Sequence, residues 1–406
     1  MNYQDTIDWL YNQFPFYQRD GKVAYKKDIN NVREFFNKHG ADYLTFKSIH
    51  VGGTNGKGSV SHMLSSILQD AGYKVGLFTS PHIIDFKERI KINNQKISSN
   101  FIVKFINDYK QSFQNMDMSF FEMTVAMAFR YFAVEKVDFA IIEVGLGGRL
   151  DATNIIHPEL SIITNVSLDH VNILGHSINM IAKEKSGIIK FKTPVLVGEK
   201  KTYTQVFMNK AFELQAQIHH AKSFKYKTDL NGYYQNQNIN TSVTAIHILR
   251  ELNYQINDSH IESGLLNVVS NTNFTGRWQI IHNKPLFICD IGHNIDAMKH
   301  TLNQISEFKK KKHIILGFSN DKQTDLILDI LPKNYNYYIC GSANPRIIPV
   351  SELSLAFDSQ NLPYKVFNSS VDAYRYVMRF LSNNDVVLAT GSTFIVADIL
   401  KYLEKV

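Results

Sequence analysis

The chain has 406 residues, 44% hydrophobic and 20% charged, the composition of a globular protein long enough for two or three domains. Its 44 lysines and arginines against 37 acidic residues are spread along the chain, which suits small anionic ligands and gives no nucleic-acid footprint. Two cysteines (Cys289 and Cys340), an N-terminus with no basic region ahead of an apolar core, and the lack of any uncharged run that could span a bilayer argue against a disulfide scaffold, a secretory leader and a membrane partner, so a cytoplasmic protein is expected.

In chain order, short β-rich runs alternate with helix-period segments. The runs are SIHVG (48–52), KVGLFTS (74–80), FAIIEVG (139–145), LSIITNV (160–166) and TPVLVGE (193–199). Their near-continuous hydrophobicity predicts strands buried on both faces, as in a parallel sheet. Between the first two lies the amphipathic VSHMLSSILQDAGYK, with Gly72 as its stop. The alternation predicts a doubly wound α/β fold, in which ligands gather at the carboxyl ends of the strands. After residue 260 the pattern pauses, and VVSNTNFTGRWQIIHNKP reads as a polar connection. It restarts in PLFICDIGHN, HIILGFSNDK, YNYYICGSANPR and DVVLATGST, enough for a second, smaller α/β domain. The expected division is 1–272, a linker or hinge at 273–282, and 283–406. The lysine run 309–312 reads as a solvated helix end.

The first strand breaks into GGTNGKGS. The common phosphate loop is G-x-x-x-x-G-K-[ST]; here Val51 stands at the first glycine position and Gly58 at the hydroxyl position. The glycines still let backbone N–H groups approach a phosphate chain, Lys57 can bridge its outer phosphates, and a helix starting near Ser59 would aim its N-terminus at the anion. With no hydroxyl at residue 58, a magnesium ion needs other ligands, and the neighbouring strand ends offer them. TSPH offers Ser80, IIEVG offers Glu143, and SLDH offers Asp169 and His170. A carboxylate emerging from an apolar run is costly unless paired with a cation. His170 is either an ordinary loop histidine or a ligand, and hard magnesium prefers oxygen. In EVGLGGRLDATN, Leu150 stands where a dinucleotide fingerprint needs its last glycine, so that loop reads as a substrate contact instead.

Taken together, IHVGGTNGKGSVSHML, GLFTSPH, IIEVGLGGRLDATN, ITNVSLDH and IAKEKSGIIK, followed by TGR, DIGHN, GFSNDK and ATGS, resemble folylpolyglutamate synthase and bifunctional dihydrofolate synthase, within the Mur ligase superfamily. The resemblance implies a Mur-ligase-like P-loop domain with a mainly parallel sheet, followed by a smaller Rossmann-like α/β domain. It implies an ATP-dependent ligase acting as a monomer, in which the γ-phosphate passes to a folate or dihydropteroate carboxylate and L-glutamate displaces phosphate from the acyl phosphate. By the same resemblance Thr54, Asn55, Gly56, Lys57, Gly58 and Ser59 hold the phosphates. Ser80 and Glu143 bind one Mg2+ ion, and Glu143 and His170 share a second. Lys185, which by itself reads as a surface helix lysine, matches a lysine carrying a carbamate beside the metals. Asn238, Arg277 and Asp290 match nucleotide contacts, with Arg277 placed to stabilise the transferring phosphoryl group. His293 and Ser392 match positions near the acyl phosphate or glutamate. Phe121, otherwise a core aromatic, and Asp151 match contacts to dihydropteroate. Domain closure about 271–282 is expected to assemble the site. The chain departs from the family at Ile291-Gly292, at Gln279 where an acid is common, and in YQRDGKVAYKKDINN, which lacks a glycine-leucine pattern. A peptidoglycan-precursor Mur ligase would share the ATP chemistry, but GLGGRLDATN and SPHIIDFKERI match the folate branch. A non-catalytic P-loop protein would leave Glu143, His170 and Lys185 without a joint purpose.

Overall fold

The computed structural model describes residues 1–13, 17–20 and 28–405; residues 21–27 of the divergent YQRDGKVAYKKDINN segment lie outside them. Two compact units form. Unit 1 is Met1–Asp229 with Asn236–Asn273, and unit 2 is Leu230–Gln235 with Phe274–Val406. The chain therefore passes from unit to unit at three points, where the sequence indicates one connection near residue 273.

Unit 1 is built on strands β1 (Lys47–Gly52), β2 (Val75–Phe78), β3 (Ile90–Ile92), β4 (Gln95–Lys96), β5 (Phe139–Glu143), β6 (Leu160–Ile163), β7 (Val195–Val197) and β8 (Ile218–His220). They lie side by side in the order β4-β3-β2-β5-β1-β6-β7-β8. From β2 to β8 every pairing is parallel, and β3 and β4 add antiparallel at one edge. β2, β5, β6 and β7 are buried at every position, as their unbroken apolar runs require. On one side of the sheet an aromatic layer forms, from Phe35 and Phe36 on the helix Asn30–His39, Phe105 and Phe113 on Ser99–Asn115, and Phe129 and Phe132 on Phe120–Val134. Each such ring contributes roughly 1.5–3 kcal/mol of burial. The helix Lys57–Asp70 is buried along its whole middle, from Ser59 to Leu68. It ends just before Gly72, where the sequence places its stop. It begins at Lys57, two residues earlier than the sequence predicts, so Lys57 and Gly58 belong to its first turn.

Unit 2 comprises β9 (Gln279–Asn283), β10 (Leu286–Cys289), β11 (Lys311–Leu316), β12 (Asn336–Cys340), β13 (Tyr364–Phe367) and β14 (Asp385–Thr390), in the order β13-β12-β11-β14-β10-β9. Only β9 is antiparallel. Its core gathers Trp278, Phe318, Tyr337 and Phe357 around the buried strands. The polar stretch 268–285 is not irregular throughout. Val268–Thr272 is helical and Gln279–Asn283 is β9, whose partly exposed edge position lets a polar sequence take strand form. The lysine run enters β11 at Lys311, with the Lys310 ammonium on the Asn383 carbonyl at 2.9 Å.

Candidate active site

The order of strands in unit 1 brings four loops into one row. β2, β5, β1 and β6 are neighbours in that sequence, and their carboxyl ends lead to Ser80, Glu143, the loop 53–56 and Asp169-His170. Val51 of β1 sits opposite Glu143 of β5, so the carboxylate stands beside the start of the glycine loop.

That loop is held by the chain leaving β6. Thr54 N–H donates to the Asn165 carbonyl (2.9 Å) and Asn55 N–H to the Asn165 side-chain oxygen (2.9 Å). The Thr164 hydroxyl donates to Asn55 O at 2.6 Å, and the Ser167 N–H to the Thr54 hydroxyl at 3.0 Å. Gly53 and Gly56 have φ of +138° and +84°. A Cβ on the first would collide with Thr164 Oγ1, and one on the second with Asn238 Oδ1. Both positions therefore exclude other residues by backbone conformation and by space. Asn238 reaches this place from the first turn of the helix Gln235–Glu251, where Gln237 also donates to Gly198 O.

Lys57 and Lys185 converge on the loop. Lys57 Nζ donates to Thr54 O at 3.0 Å, and Lys185 Nζ, from the helix Ile178–Ser186, donates to Gly53 O at 2.8 Å. Lys185 is only 3% exposed, so its reading as a surface lysine is corrected: it lies on the buried face of its helix and reaches the loop. Burial and then the charge of Lys57 push its pKa down to about 7, against the opposing pull of Asp169 and Asp151. The Ser59 hydroxyl, in the first turn of the Lys57–Asp70 helix, is buried with no hydrogen-bond partner among the described residues. Such an orphan is costly unless a ligand satisfies it.

Glu143 is buried, and one of its oxygens accepts the Ser80 N–H at 3.0 Å. Next to it is a cation that the sequence analysis missed. Arg89 is buried, and its pKa is pushed down to about 10 by desolvation, against the fields of Tyr11, Glu143 and Glu88. Its Nε donates to His82 Nδ1 at 2.7 Å, and its guanidinium lies 5.5 Å from the centre of the Phe120 ring. The signal was present as an arginine opening the apolar RIKI run. His170 follows β6 in a left-handed conformation (φ +50°), with its N–H on Asp169 Oδ1 at 2.8 Å and its ring 3.8 Å from Asp169 Oδ2.

The GLGG loop after β5 packs on Phe121, whose ring would meet any Cβ on Gly145. Asp151 is spent on the loop itself. Oδ2 accepts the Leu146 N–H at 2.8 Å, and Oδ1 accepts the Thr153 N–H at 3.0 Å and the Thr153 hydroxyl. Burial raises its pKa, and those bonds oppose the rise. The Thr153 hydroxyl in turn meets His50 Nε2 at 2.9 Å.

In unit 2 Asp290, His293 and Ser392 follow strand ends, and Arg277 precedes β9. Asp290 succeeds β10. Its Oδ2 accepts the Tyr234 hydroxyl (2.6 Å) and the Trp278 N–H (2.8 Å), and its Oδ1 accepts the Gly292 N–H (2.8 Å). His293 Nδ1 bonds Ile291 O at 2.9 Å. Ser392 caps the helix Thr393–Leu403, accepting the Phe394 N–H at 3.2 Å, and meets the Ser319 hydroxyl at 3.3 Å. Arg277 leans on Gly276 O at 3.4 Å. Gln279, where the resemblance leads one to expect an acid, supplies an acceptor all the same: its Oε1 takes the Gly276 N–H at 2.9 Å.

Residues 51–273 match the Mur ligase middle domain, and residues 276–393 the Mur ligase glutamate ligase domain. Fold and site thus define a Mur ligase, an enzyme of the ATP-dependent ligase class. A dihydrofolate synthase/folylpolyglutamate synthase of Bacillus subtilis (strain 168) is 30% identical over 440 residues, covering 99% of both chains. The structure of folylpolyglutamate synthase from Thermotoga maritima superposes with a TM-score of 0.81 at 28% identity, over 99% of this chain and 96% of that one. A bifunctional folylpolyglutamate synthase/dihydrofolate synthase with Mn, AMPPNP and L-glutamate bound gives 0.85 at 26% identity, over 100% and 98%. The chain belongs to the folylpolyglutamate synthase/dihydrofolate synthase family.

Proposed function

We propose that this enzyme joins L-glutamate to the carboxylate of a folate with cleavage of ATP, and that it also joins dihydropteroate to glutamate. A carboxylate oxygen attacks the γ-phosphorus, the bond to the bridging oxygen of ADP breaks, and an acyl phosphate forms. The glutamate amine then attacks the acyl carbon and loses a proton, and inorganic phosphate leaves. The observation that carries the reading is the cradle at the end of β1. Two glycines at which any side chain would strain the backbone and collide with Thr164 or Asn238, an orphaned Ser59 hydroxyl and two converging lysines make a place for phosphates, and a buried carboxylate stands at the next strand end. Phosphoryl transfer asks the protein chiefly for positioning and charge neutralisation, and these groups supply both.

Thr54, Asn55, Gly56, Lys57, Gly58 and Ser59 would hold the phosphates, with Asn238, Arg277 and Asp290 as further nucleotide contacts. Ser80 and Glu143 would hold one magnesium ion, and Glu143 and His170 a second. Among the described residues no cluster of three or more His, Cys, Asp or Glu could hold a metal. Magnesium binds through one or two carboxylates and substrate phosphates rather than through an all-protein cage. Such ions would neutralise charge on the transferring group. Lys185, with its pKa near 7, has enough neutral amine at physiological pH to capture carbon dioxide, and the resulting carbamate would serve as an anionic oxygen ligand. Phe121, packed over the GLGG loop, would meet the pterin, and Asp151 would shape that loop. His293 and Ser392 would face the glutamate or acyl phosphate. We further read the enzyme as a cytoplasmic monomer, since one chain carries every proposed group. Among the described residues no helix is long and apolar enough to cross a membrane.

The test is phosphate release from ATP with glutamate plus a reduced folate, dihydropteroate, or a nucleotide-sugar peptide. Release that depends on glutamate and on either pterin substrate is expected. Release with the nucleotide-sugar peptide alone, or none that depends on glutamate, would sink the proposal.

A further inference from the structure

The hexapeptide Leu230–Gln235 (LNGYYQ) leaves unit 1 after Asp229, folds with unit 2 and returns at Asn236. Its anchorage is specific. Gln304, buried on the helix Ile295–Ser306, clasps the backbone at two points: its Oε1 accepts the Tyr233 N–H at 2.7 Å, and its Nε2 donates to Asn231 O at 2.9 Å. Tyr234 donates to Asp290 Oδ2 at 2.6 Å, and its ring packs against the core of unit 2. Tyr233 adds a bond to Glu307 at 2.8 Å. Of these the Tyr234–Asp290 bond, from a buried hydroxyl to a carboxylate, belongs to the strong, charge-assisted kind.

The hexapeptide does not run on into a loose linker. The helix Gln235–Glu251 starts at its last residue. Within that first turn Gln237 grips Gly198 O, and Asn238 fills the space over Gly56 of the phosphate loop. Only four positions separate Tyr234 from Asn238. A helical turn is a stiff, hydrogen-bonded unit, so a change in how the hexapeptide is docked must move or loosen the turn that carries Asn238.

We propose that Leu230–Gln235 is a positioning strap. Its docking on unit 2 sets the first turn of the helix Gln235–Glu251 and, through Asn238, the conformation of the phosphate loop at Gly56. Tyr234 and Gln304 are then positioning residues for nucleotide binding. This rests on the reading of that loop as the nucleotide site.

The experiment measures the affinity of the full chain for ADP with magnesium, together with amide exchange in residues 236–240. It uses Tyr234→Phe and Gln304→Ala, each alone and combined with Asn238→Ala. Gln304 is included because it holds the strap without touching Asp290. Each single variant should weaken ADP binding roughly 3- to 30-fold, the range of coupling between linked residues. Exchange in 236–240 should rise, measured well below the melting temperature of each variant so that any loss of overall stability is kept apart from local loosening. Gln304→Glu, which keeps the acceptor for the Tyr233 N–H, should lose less. In the Asn238→Ala background the effects of Tyr234→Phe and Gln304→Ala should largely vanish. Full additivity with Asn238→Ala would overturn the strap. So would a neutral Gln304→Ala beside a damaging Tyr234→Phe, because Tyr234 would then act through Asp290 alone. ADP binding absent from the wild-type chain would instead bring down the nucleotide reading, and the strap with it.

Discussion

The strand ends of the two units carry residues of similar type and use them differently. At the end of β1 the anion-seeking groups are backbone N–H groups, an orphaned hydroxyl and two lysines pressed together, one with its pKa driven down to about 7. At the end of β10, Asp290 already accepts from Tyr234, Trp278 and Gly292, and Ser392 already caps a helix. The first region gathers two buried or half-buried lysines and an orphaned hydroxyl at one loop, with the pKa of Lys185 strongly shifted, and perturbed groups of this kind cluster at functional sites. The second spends its side chains on holding its own backbone, so the substrate contacts proposed for it would depend on groups that are also structural. Substitutions should therefore separate the two: in unit 1 they should cost chemistry, and in unit 2 stability as well.

The sharpest break of that contrast is Glu143→Gln, which keeps the shape and an acceptor for the Ser80 N–H but removes the charge. Turnover should fall by about 10³-fold, as expected when several kcal/mol of charge stabilisation are lost. The melting temperature should hardly move, and near-normal turnover in steady-state kinetics would remove Glu143 from the site. Next comes Gly56→Ala. A side chain there must adopt a left-handed backbone and displace Asn238, at a cost of roughly 1–3 kcal/mol. ADP affinity measured by calorimetry should drop about 5- to 150-fold, the same energy expressed in binding. In unit 2, Asp290→Asn turns an acceptor for three donors into one with a single oxygen and an opposing N–H₂. Thermal or denaturant unfolding should register a loss of about 1–3 kcal/mol, and a loss of ADP affinity with no loss of stability would contradict the structural role.

The smallest effect concerns His50, buried in β1 with its pKa pushed down to about 3 by desolvation. Between pH 6.5 and about 3 the unfolded chain binds a proton that folded His50 refuses, so stability falls as pH falls through that window. The slope of unfolding free energy against pH should flatten in His50→Gln, and an unchanged slope would show that His50 does not set it.

Legibility in the sequence followed burial. β2, β5, β6 and β7 are covered on both faces, so their apolar runs could be read directly, and the polar motifs fell at strand ends as the fold class requires. β8, β9 and β13 are half-exposed edge strands, and their mixed patterns look like loops. The hairpin of β3 and β4 hid inside a charged stretch, although β3 is buried along its length. At the site, the glycine loop, Glu143 and Asp169 stood out by residue type and spacing. Lys185 did not, because nothing local distinguishes a helix lysine facing solvent from one reaching a glycine carbonyl 132 positions away; only the family resemblance pointed to it. Arg89 and the docking of Tyr234 on Asp290, 56 positions apart, are likewise properties of tertiary contact. Gln279 is a milder case: in the sequence it is only a departure from the acid the resemblance leads one to expect, and its amide oxygen accepts the Gly276 N–H.

Ligation through an acyl phosphate leaves an isotopic signature in the phosphate released. With ¹⁸O in the carboxylate of dihydropteroate or of a reduced folate, turnover with ATP and glutamate should place one labelled oxygen in each inorganic phosphate released, because the attacking carboxylate oxygen leaves with the phosphorus. Phosphate that carries no label from the substrate would mean that water, not the carboxylate, attacks the γ-phosphorus, and would contradict the account.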